Sequence, residues 1–285
     1  MMVNFVQWDV KPQILQFESF ELRWYSLLFA MGFIVGYYIM QRFFKREGIK
    51  LELLDKLTFY IIIATILGAR FGHCVFYEPD IYLRNPLKIF LPFEGRIGHD
   101  FRFTGFQGLA SHGGAIGILI GLWLFSRKFK VNYLWILDRI AIVTALAGAF
   151  IRLGNLFNSE IYGVQTSLPW GFRFMREMLY PPYPTAEQIV PKHPTQIYEA
   201  LAYLLIFVFL MVQYERRYKV LKNGYFIGML LILVFSARFF IEFVKEAQES
   251  FEEGMKLNMG QILSIPFVAA GVYLLWRKPK PTEGK

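Results

Sequence analysis

One cysteine, Cys74, and four histidines are all that 285 residues contain of the strongest metal-binding side chains. A lone cysteine excludes an intramolecular disulfide framework and any multi-cysteine metal site. It reads instead as a small buried hydrophobe. His73, His99, His112 and His193 are scattered and form no His-Glu-x-x-His pair, so no metal site is expected. No glycine-rich loop of the nucleotide-binding kind occurs, and no arginine-rich stretch is interleaved with aromatics, so neither a nucleotide nor nucleic acid is an expected partner. Acidic residues are also scarce: 22 against 31 basic ones, a net charge of +9. In an apolar chain this excess more often reports basic cytoplasmic loops and anionic lipid.

Apolar residues are abundant. They make up 55% of the chain, aromatics 18%, and mean hydropathy is +0.36. Seven segments can span a bilayer core of roughly 30 Å, which takes about 20 residues each. They lie at 22–43, 56–77, 110–127, 133–151, 196–214, 224–244 and 259–277. The first follows a segment containing Asp9, Pro12, Glu18 and Glu21, not a short basic region, so it is expected to stay as a helix and not to be cleaved. The expected fold is all-α: one polytopic membrane domain over 1–285 with seven transmembrane helices.

Basic residues alternate along the connections. Arg42, Lys45, Arg46 and Lys50 follow the first span, and Arg127, Lys128 and Lys130 the third. Arg216, Arg217, Lys219 and Lys222 follow the fifth, and Arg277, Lys278, Lys280 and Lys285 form the tail. These connections are therefore expected in the cytoplasm, with the N-terminus outside and the C-terminus inside. The outer connections are then a loop at 78–109, a small head at 152–195, and an acidic turn with Glu249, Glu252 and Glu253.

This orientation gives each polar residue within the spans a depth. Arg23, Tyr25, Arg70, Ser111, His112, Arg152, Asn155, His193, Gln196, Tyr198, Glu199, Arg238, Glu242, Asn258 and Gln261 all fall in the outer half. The inner half has little beyond Asp138 and Arg139. Charged groups in a bilayer cost several kcal/mol unless paired or lining a polar cavity. The asymmetry thus predicts an arginine-rich cavity open to the outer leaflet. The richest stretch is Ile151-Arg152-Leu153-Gly154-Asn155-Leu156-Phe157-Asn158-Ser159-Glu160-Ile161-Tyr162-Gly163. Arg70, Arg152 and Arg238 need anions. Glu242 stands four residues after Arg238 on the same helical face, and Glu160 and Glu199 could pair with the other two. A phosphate also suits the planar fork of arginine, and in the outer leaflet the available phosphate is a phospholipid headgroup.

Six blocks carry a family resemblance. They are Gly68-Ala69-Arg70-Phe71-Gly72, His112-Gly113-Gly114-Ala115-Ile116-Gly117, Arg152 through Glu160, His193-Pro194-Thr195-Gln196-Ile197-Tyr198-Glu199, Arg238-Phe239-Phe240-Ile241-Glu242-Phe243 and Gly260-Gln261-Ile262-Leu263-Ser264-Ile265-Pro266. In this order, from Arg23-Trp24-Tyr25 to Pro266, the chain resembles the bacterial prolipoprotein diacylglyceryl transferases. It departs locally at Gly108-Leu109-Ala110-Ser111, where family members often carry Gly-Met-Ser-Phe. The resemblance implies seven transmembrane helices with an outer head in the bacterial cytoplasmic membrane. It implies transfer of the diacylglyceryl group of phosphatidylglycerol to the lipobox cysteine thiol of a preprolipoprotein. The products would be a thioether and glycerol 1-phosphate, with no metal or nucleotide cofactor. The protein substrate would bring its own nucleophile.

On that reading His112, Arg152 and Arg238 are the expected catalytic residues. Arg152 and Arg238 would hold the phosphate. His112 would take the thiol proton or position the phosphate, with Gly113 and Gly114 letting substrate approach closely. Tyr25, Arg70, Asn155, Asn158, Glu160, Gly163, Gln196, Glu199 and Glu242 are the expected substrate-binding residues, Gly163 through a tight turn. His73, His99 and His193 read as structural. An intramembrane serine protease is disfavoured because Ser111 and His112 are adjacent on a helix and point about 100° apart. A transporter would show internal repeats and polar groups through both membrane halves.

Overall fold

The computed structural model describes residues 5–17, 21–84, 93–94, 102–103, 108, 110–247, 252 and 254–278. His99, Glu249, Glu253, Lys280, Lys285 and most of the 78–109 connection lie outside these residues. The chain folds as two compact units, Met1–Met40 with Leu137–Lys285, and Gln41–Ile136.

Eight helices are present among the described residues: α1 (Trp24–Arg46), α2 (Leu51–Phe76), the short α3 (Pro79–Arg84), α4 (Ser111–Phe129), α5 (Tyr133–Asn158), α6 (Thr195–Arg217), α7 (Tyr225–Ile241) and α8 (Met259–Trp276). Six are long and apolar enough to cross a membrane: α1, α2, α5, α6, α8, and α7 continued by a 3-10 turn to Val244. Fourth in that order, α4 matches the expected 110–127 span, but Ser111 and His112 at one end and Arg127 and Lys128 at the other shorten its apolar middle. Helix α5 runs past the expected end at 151 to Asn158, so Arg152, Asn155 and Asn158 are helical residues.

The all-α expectation needs one correction. Three two-stranded ladders occur in the connections. The first pairs β1 (Val6–Trp8) in parallel with β6 (Phe172–Phe174). The others are antiparallel: β2 (Gln13–Gln16) with β3 (Glu21–Arg23), and β4 (Phe93–Glu94) with β5 (Arg102–Phe103). Strands of two to four residues are too short to show an alternating pattern, and they form because these connections must satisfy their own backbone groups.

In the larger unit, the β1–β6 ladder holds the N-terminal segment beside the connection between α5 and α6. Trp8 strengthens this join: its indole Nε1 donates to Leu156 O at 3.0 Å, and its ring lies 5.7 Å from Phe157 and 5.6 Å from Phe172. At the other end of this unit, buried Asp138 accepts from Gly224 N (2.7 Å) and Ile227 N (2.9 Å) at the start of α7. Those are amides that a helix N-terminus leaves without an internal partner. Lys222 Nζ donates to Leu275 O at 2.6 Å and to Arg277 O, capping the end of α8. Asp138, one of the two charges expected in the inner half, thus closes a helix end.

The smaller unit is built on α2 against α4. Gly68 and Gly72 face Gly113 and Gly117 across a seam so close that a Cβ on Gly68 would lie 2.5 Å from Gly113 O and 2.7 Å from Gly117 Cα. In lipid, helices associate largely through such close backbone packing, because tails are as apolar as leucine. Ala110 N also donates to Ala69 O at 2.9 Å across the seam.

Gly68→Val should therefore force the seam apart and cost about 1–3 kcal/mol or more, lowering the melting temperature of the detergent-solubilised protein by several degrees. Ile66→Val, at an exposed position of the same helix, should melt with the wild type. Equal melting of the two variants would show that the seam does not hold α2 to α4.

Candidate functional site

In the larger unit, five polar side chains form a ladder of alternating charge. Arg152 Nε, on α5, lies 3.0 Å from Glu199 Oε2, on α6. Glu199 Oε1 lies 3.5 Å from Lys245 Nζ, and Lys245 Nζ lies 3.3 Å from Glu242 Oε1. Glu242 Oε1 lies 3.4 Å from Arg238 Nε. The Glu199 and Lys245 side chains are 0% and 1% exposed, whereas that of Arg238 is 33% exposed. The ladder is buried at its middle and accessible at its Arg238 end.

Two further helix elements complete it. Tyr203, on α6, sits within electrostatic reach of Arg152 and Glu199. At the start of α8, Asn258 Nδ2 donates to Glu242 Oε2 at 3.2 Å, while Asn258 and Gln261 cap the helix reciprocally. A Cβ on Gly260 would lie 2.2 Å from Glu242 Oε1, so the glycine admits this carboxylate to the helix N-terminus, where the macrodipole favours negative charge. Three cations face two carboxylates, leaving the ladder with one surplus positive charge.

Lys245 was missing from the sequence reading. It follows α7, where a lysine reads as an ordinary basic residue of a connection. Its burial comes from a backbone strap. Gly163 and Lys245 form an antiparallel bridge, Val164 N donates to Val244 O at 3.0 Å, and Glu246 N donates to Tyr162 O at 3.3 Å. Gly163 serves this close approach and not the expected tight turn: its φ is not positive, and a Cβ there would lie 2.2 Å from Val244 O and 2.7 Å from His193 Cβ.

The end of α5 forms a second polar layer. Ser159 N donates to Leu156 O and Glu160 N to Asn155 O, with Ser159 left-handed at φ 54°. This is the Schellman arrangement, with serine where glycine is usual. Ile161 is also left-handed, at φ 61°, a costly conformation for a β-branched residue. The turn is held from α6: Thr195 Oγ1 donates to Ile161 O at 2.9 Å and Gln196 Nε2 to Glu160 O at 2.7 Å. Glu160 does not take an arginine as expected. Its Oε1 accepts from Asn155 Nδ2 (2.7 Å) and Asn158 Nδ2 (3.1 Å). Arg152 Nη1 donates to Asn155 Oδ1 at 3.4 Å, so Asn155 joins this layer to the ladder. Tyr25 packs on Gly154 and feels the charges of Glu160 and Arg152.

Ten of the twelve expected site residues thus share one unit and one connected neighbourhood. Arg70 and His112 belong to the other unit. Buried Arg70 donates to the Tyr82 hydroxyl at 3.0 Å and lies over its ring at 4.8 Å. His112 is exposed in the first turn of α4. Gly113 and Gly114, expected to let substrate approach, are instead buried, and Gly113 lies against the backbone of α2. Their small size serves helix packing.

Two other histidines make internal contacts. His73 Nε2 lies 3.6 Å from Glu78 Oε2. His193 Nδ1 lies 3.1 Å from the Tyr198 hydroxyl, and burial lowers its pKa. In the head, Lys192 Nζ sits 3.1 Å from Glu177 Oε1, 3.3 Å from Glu246 Oε1 and 4.2 Å from the Tyr162 ring centre. Burial, then Glu177 and Glu246, pushes the Tyr162 pKa well up, so that hydroxyl stays protonated.

The family model described as prolipoprotein diacylglyceryl transferase matches residues 12–277. The chain is 41% identical over 271 residues to the phosphatidylglycerol–prolipoprotein diacylglyceryl transferase of Bacteroides fragilis, covering 95% of this chain and 94% of that one. It is 44% identical over 288 residues to the protein of that name from Porphyromonas gingivalis, covering 97% and 95%. It is 33% identical over 294 residues to the one from Cereibacter sphaeroides, covering 94% and 96%.

The ladder makes a stability test available. Lys245→Met would leave two buried carboxylates without their shared cation, and breaking a buried pair costs about 3–5 kcal/mol. The variant should melt well below the wild type in detergent, and Lys245→Arg should recover part of the loss. Wild-type melting of Lys245→Met would show that the lysine is not part of the ladder's support.

Proposed function

The chain belongs to the prolipoprotein diacylglyceryl transferase family, and on that premise we infer that it moves the diacylglyceryl group of phosphatidylglycerol onto the lipobox cysteine of preprolipoproteins, the first step of bacterial lipoprotein maturation. One observation carries the link from family to chemistry. Four of the five ladder residues, Arg152, Glu199, Arg238 and Glu242, come from blocks that the family resemblance rests on.

The thiol sulfur attacks the terminal glyceryl carbon that bears the phosphate. A carbon–sulfur bond forms, the carbon–oxygen bond breaks, and its electron pair leaves on glycerol 1-phosphate. The leaving phosphate gains negative charge as this happens. Arg152 and Arg238, in a ladder that keeps one net positive charge, stabilise that charge. Asn155, Asn158, Gln196 and Tyr25 orient the headgroup through hydrogen bonds. Glu199 and Glu242 hold the arginines. Glu160 fixes the amides, and Gly163 admits the Lys245 strap. The family resemblance adds Arg70 to the substrate-binding residues. The thiol must lose its proton, since the thiolate is the reactive form and a free thiol has a pKa near 8.5. His112 takes that proton or positions the phosphate.

The proposed setting is the bacterial cytoplasmic membrane, with seven spans, the N-terminus and head outside and the C-terminus in the cytoplasm. Helix α4 is the seventh span. Its middle presents Ile116, Leu119, Ile120, Trp123 and Leu124 to the surrounding medium. The alternation of basic connections supports the orientation, as does the pairing of β1 with β6, which sets the N-terminal segment on the side of the head. A cysteine tag at Thr185 should react only with reagents outside the cell, and one at Lys278 only with reagents that reach the cytoplasm. The reverse labelling would invert the proposed topology.

The activity test is direct. With phosphatidylglycerol, a lipobox peptide should gain the mass of one diacylglyceryl group, and its cysteine-to-serine analogue none. Hydrogen bonds to charged groups are worth roughly 1.5–3 kcal/mol, so Arg152→Lys and Arg238→Lys should each lose about 10- to 150-fold in rate. If His112 is the base, the residual rate of His112→Gln should rise with pH as the thiol ionises unaided, and the lysine variants should show no such rescue. An unmodified peptide with folded, lipid-bound protein would defeat the assignment. A flat pH response in His112→Gln would leave it the phosphate-positioning role.

A further inference from the structure

The ends of α2 and α4 remote from His112 form an open groove of about 570 Å³, lined by Asp55, Lys56, Phe59, Tyr60, Lys128 and Phe129. We propose that this groove binds an anionic phospholipid from the leaflet opposite the one that His112 faces. Lys128 follows His112 by 16 residues, roughly 24 Å of helix at 1.5 Å per residue. The groove is therefore separate from His112 and, by a similar length of α2, from Arg70, the two expected site residues of its own unit.

Charge is the first argument. Lys56 Nζ lies 5.5 Å from the centre of the Phe129 ring, and Lys128 Nζ lies 5.8 Å from it. One aromatic ring thus carries two ammonium groups. Among the described residues neither lysine has a carboxylate partner, and Asp55 leaves the groove with one positive charge in excess. Two ammonium groups around one ring suit a phosphodiester whose headgroup brings no cation of its own. Basic pockets between transmembrane helices on the cytoplasmic side recognise such headgroups.

The apolar walls are the second. The floor is an edge-to-face cluster, with Tyr60 5.6 Å from Phe125 and 6.1 Å from Phe129. Phe59, 65% exposed, begins a strip on α2 that continues through Ile62, Ile63 and Ile66, all exposed. Their spacing of three and four residues places them on one helical face. Lys128 caps a similar strip on α4, at four-residue spacing through Leu124, Ile120 and Ile116, again all exposed. A phosphate held by the two lysines would therefore stand at the head of two apolar tracks that run toward the membrane centre and receive its acyl chains.

The proposal requires that α2 and α4 cross the membrane. It rests on the orientation proposed above only for naming the leaflet as the cytoplasmic one, and it does not depend on the transferase reading. The test is native mass spectrometry of the full chain in detergent, titrated with cardiolipin or with phosphatidylethanolamine. Wild type and Lys56→Arg/Lys128→Arg should retain cardiolipin, and Lys56→Gln/Lys128→Gln should need about tenfold more or lose the adduct. All three should take up phosphatidylethanolamine equally weakly. Lipobox-peptide modification at saturating phosphatidylglycerol should stay within about twofold of wild type in the glutamine variant, because neither lysine belongs to the transfer site. Equal cardiolipin retention by the wild type and the glutamine variant would overturn the proposal, as would phosphatidylethanolamine binding as tight as cardiolipin. Selective cardiolipin binding in a protein that leaves the peptide unmodified would defeat the transferase reading and keep this one.

Discussion

The larger unit is organised around one contact, the buried lysine between two buried carboxylates. Moving charges out of water costs several kcal/mol per ion even after relaxation. Glu199 and Lys245 pay that penalty together, with almost no exposure of either side chain. Once these are fixed, Glu242 and the two arginines have little freedom. Arg152 must reach Glu199 from α5, and Arg238 must reach Glu242 one turn earlier on its own helix. The strap through Gly163, the glycine at 260 and the capping box of Asn258 all serve to bring one charged group to its partner. A surplus cation among partners already satisfied is a different object from a lone arginine. It is held in place before any ligand arrives, and on the proposed reading it needs no rearrangement when charge develops on a leaving phosphate.

Much of this was legible in the sequence because transmembrane helices have strict requirements. About 20 apolar residues are needed per span, and a polar residue within one must have a reason to be there. Those rules placed the long helices, missing five residues at the start of α2 and seven at the end of α5, and collected Arg152, Asn155, Glu199, Arg238 and Glu242 as candidates for one neighbourhood. The pair at 238 and 242 followed from helical spacing alone.

What stayed hidden depends on contacts between segments distant in the chain. Lys245 sits in a connection, and only the bridge to Gly163 makes it a buried charge. Gly113 and Gly114 stand next to His112, which made a role in substrate approach a natural reading, yet the residues that need their small size are on α2. Glu160 looked like a partner for arginine, but a left-handed Ser159 turns the chain back so that its carboxylate meets two amides. The short strands escaped for the same reason: a three-residue parallel pair between residues 6 and 172 leaves no local pattern.

The two ends of the helices of the larger unit differ in how they use charge. In the larger unit, Asp138 and Lys222 are spent on helix termini, where each satisfies backbone groups that would otherwise be bare. Such roles are complete within the protein and leave nothing for a ligand. At the opposite end of the same helices, Arg152, Arg238 and Lys245 outnumber the carboxylates they touch. Helix capping needs one donor or acceptor per exposed end, so it saturates. Phosphate binding needs positive charge left over after the fold has been satisfied, and in the larger unit the ladder has it. That difference, more than the number of arginines, sets the ladder apart from the ordinary electrostatics of a helical membrane protein.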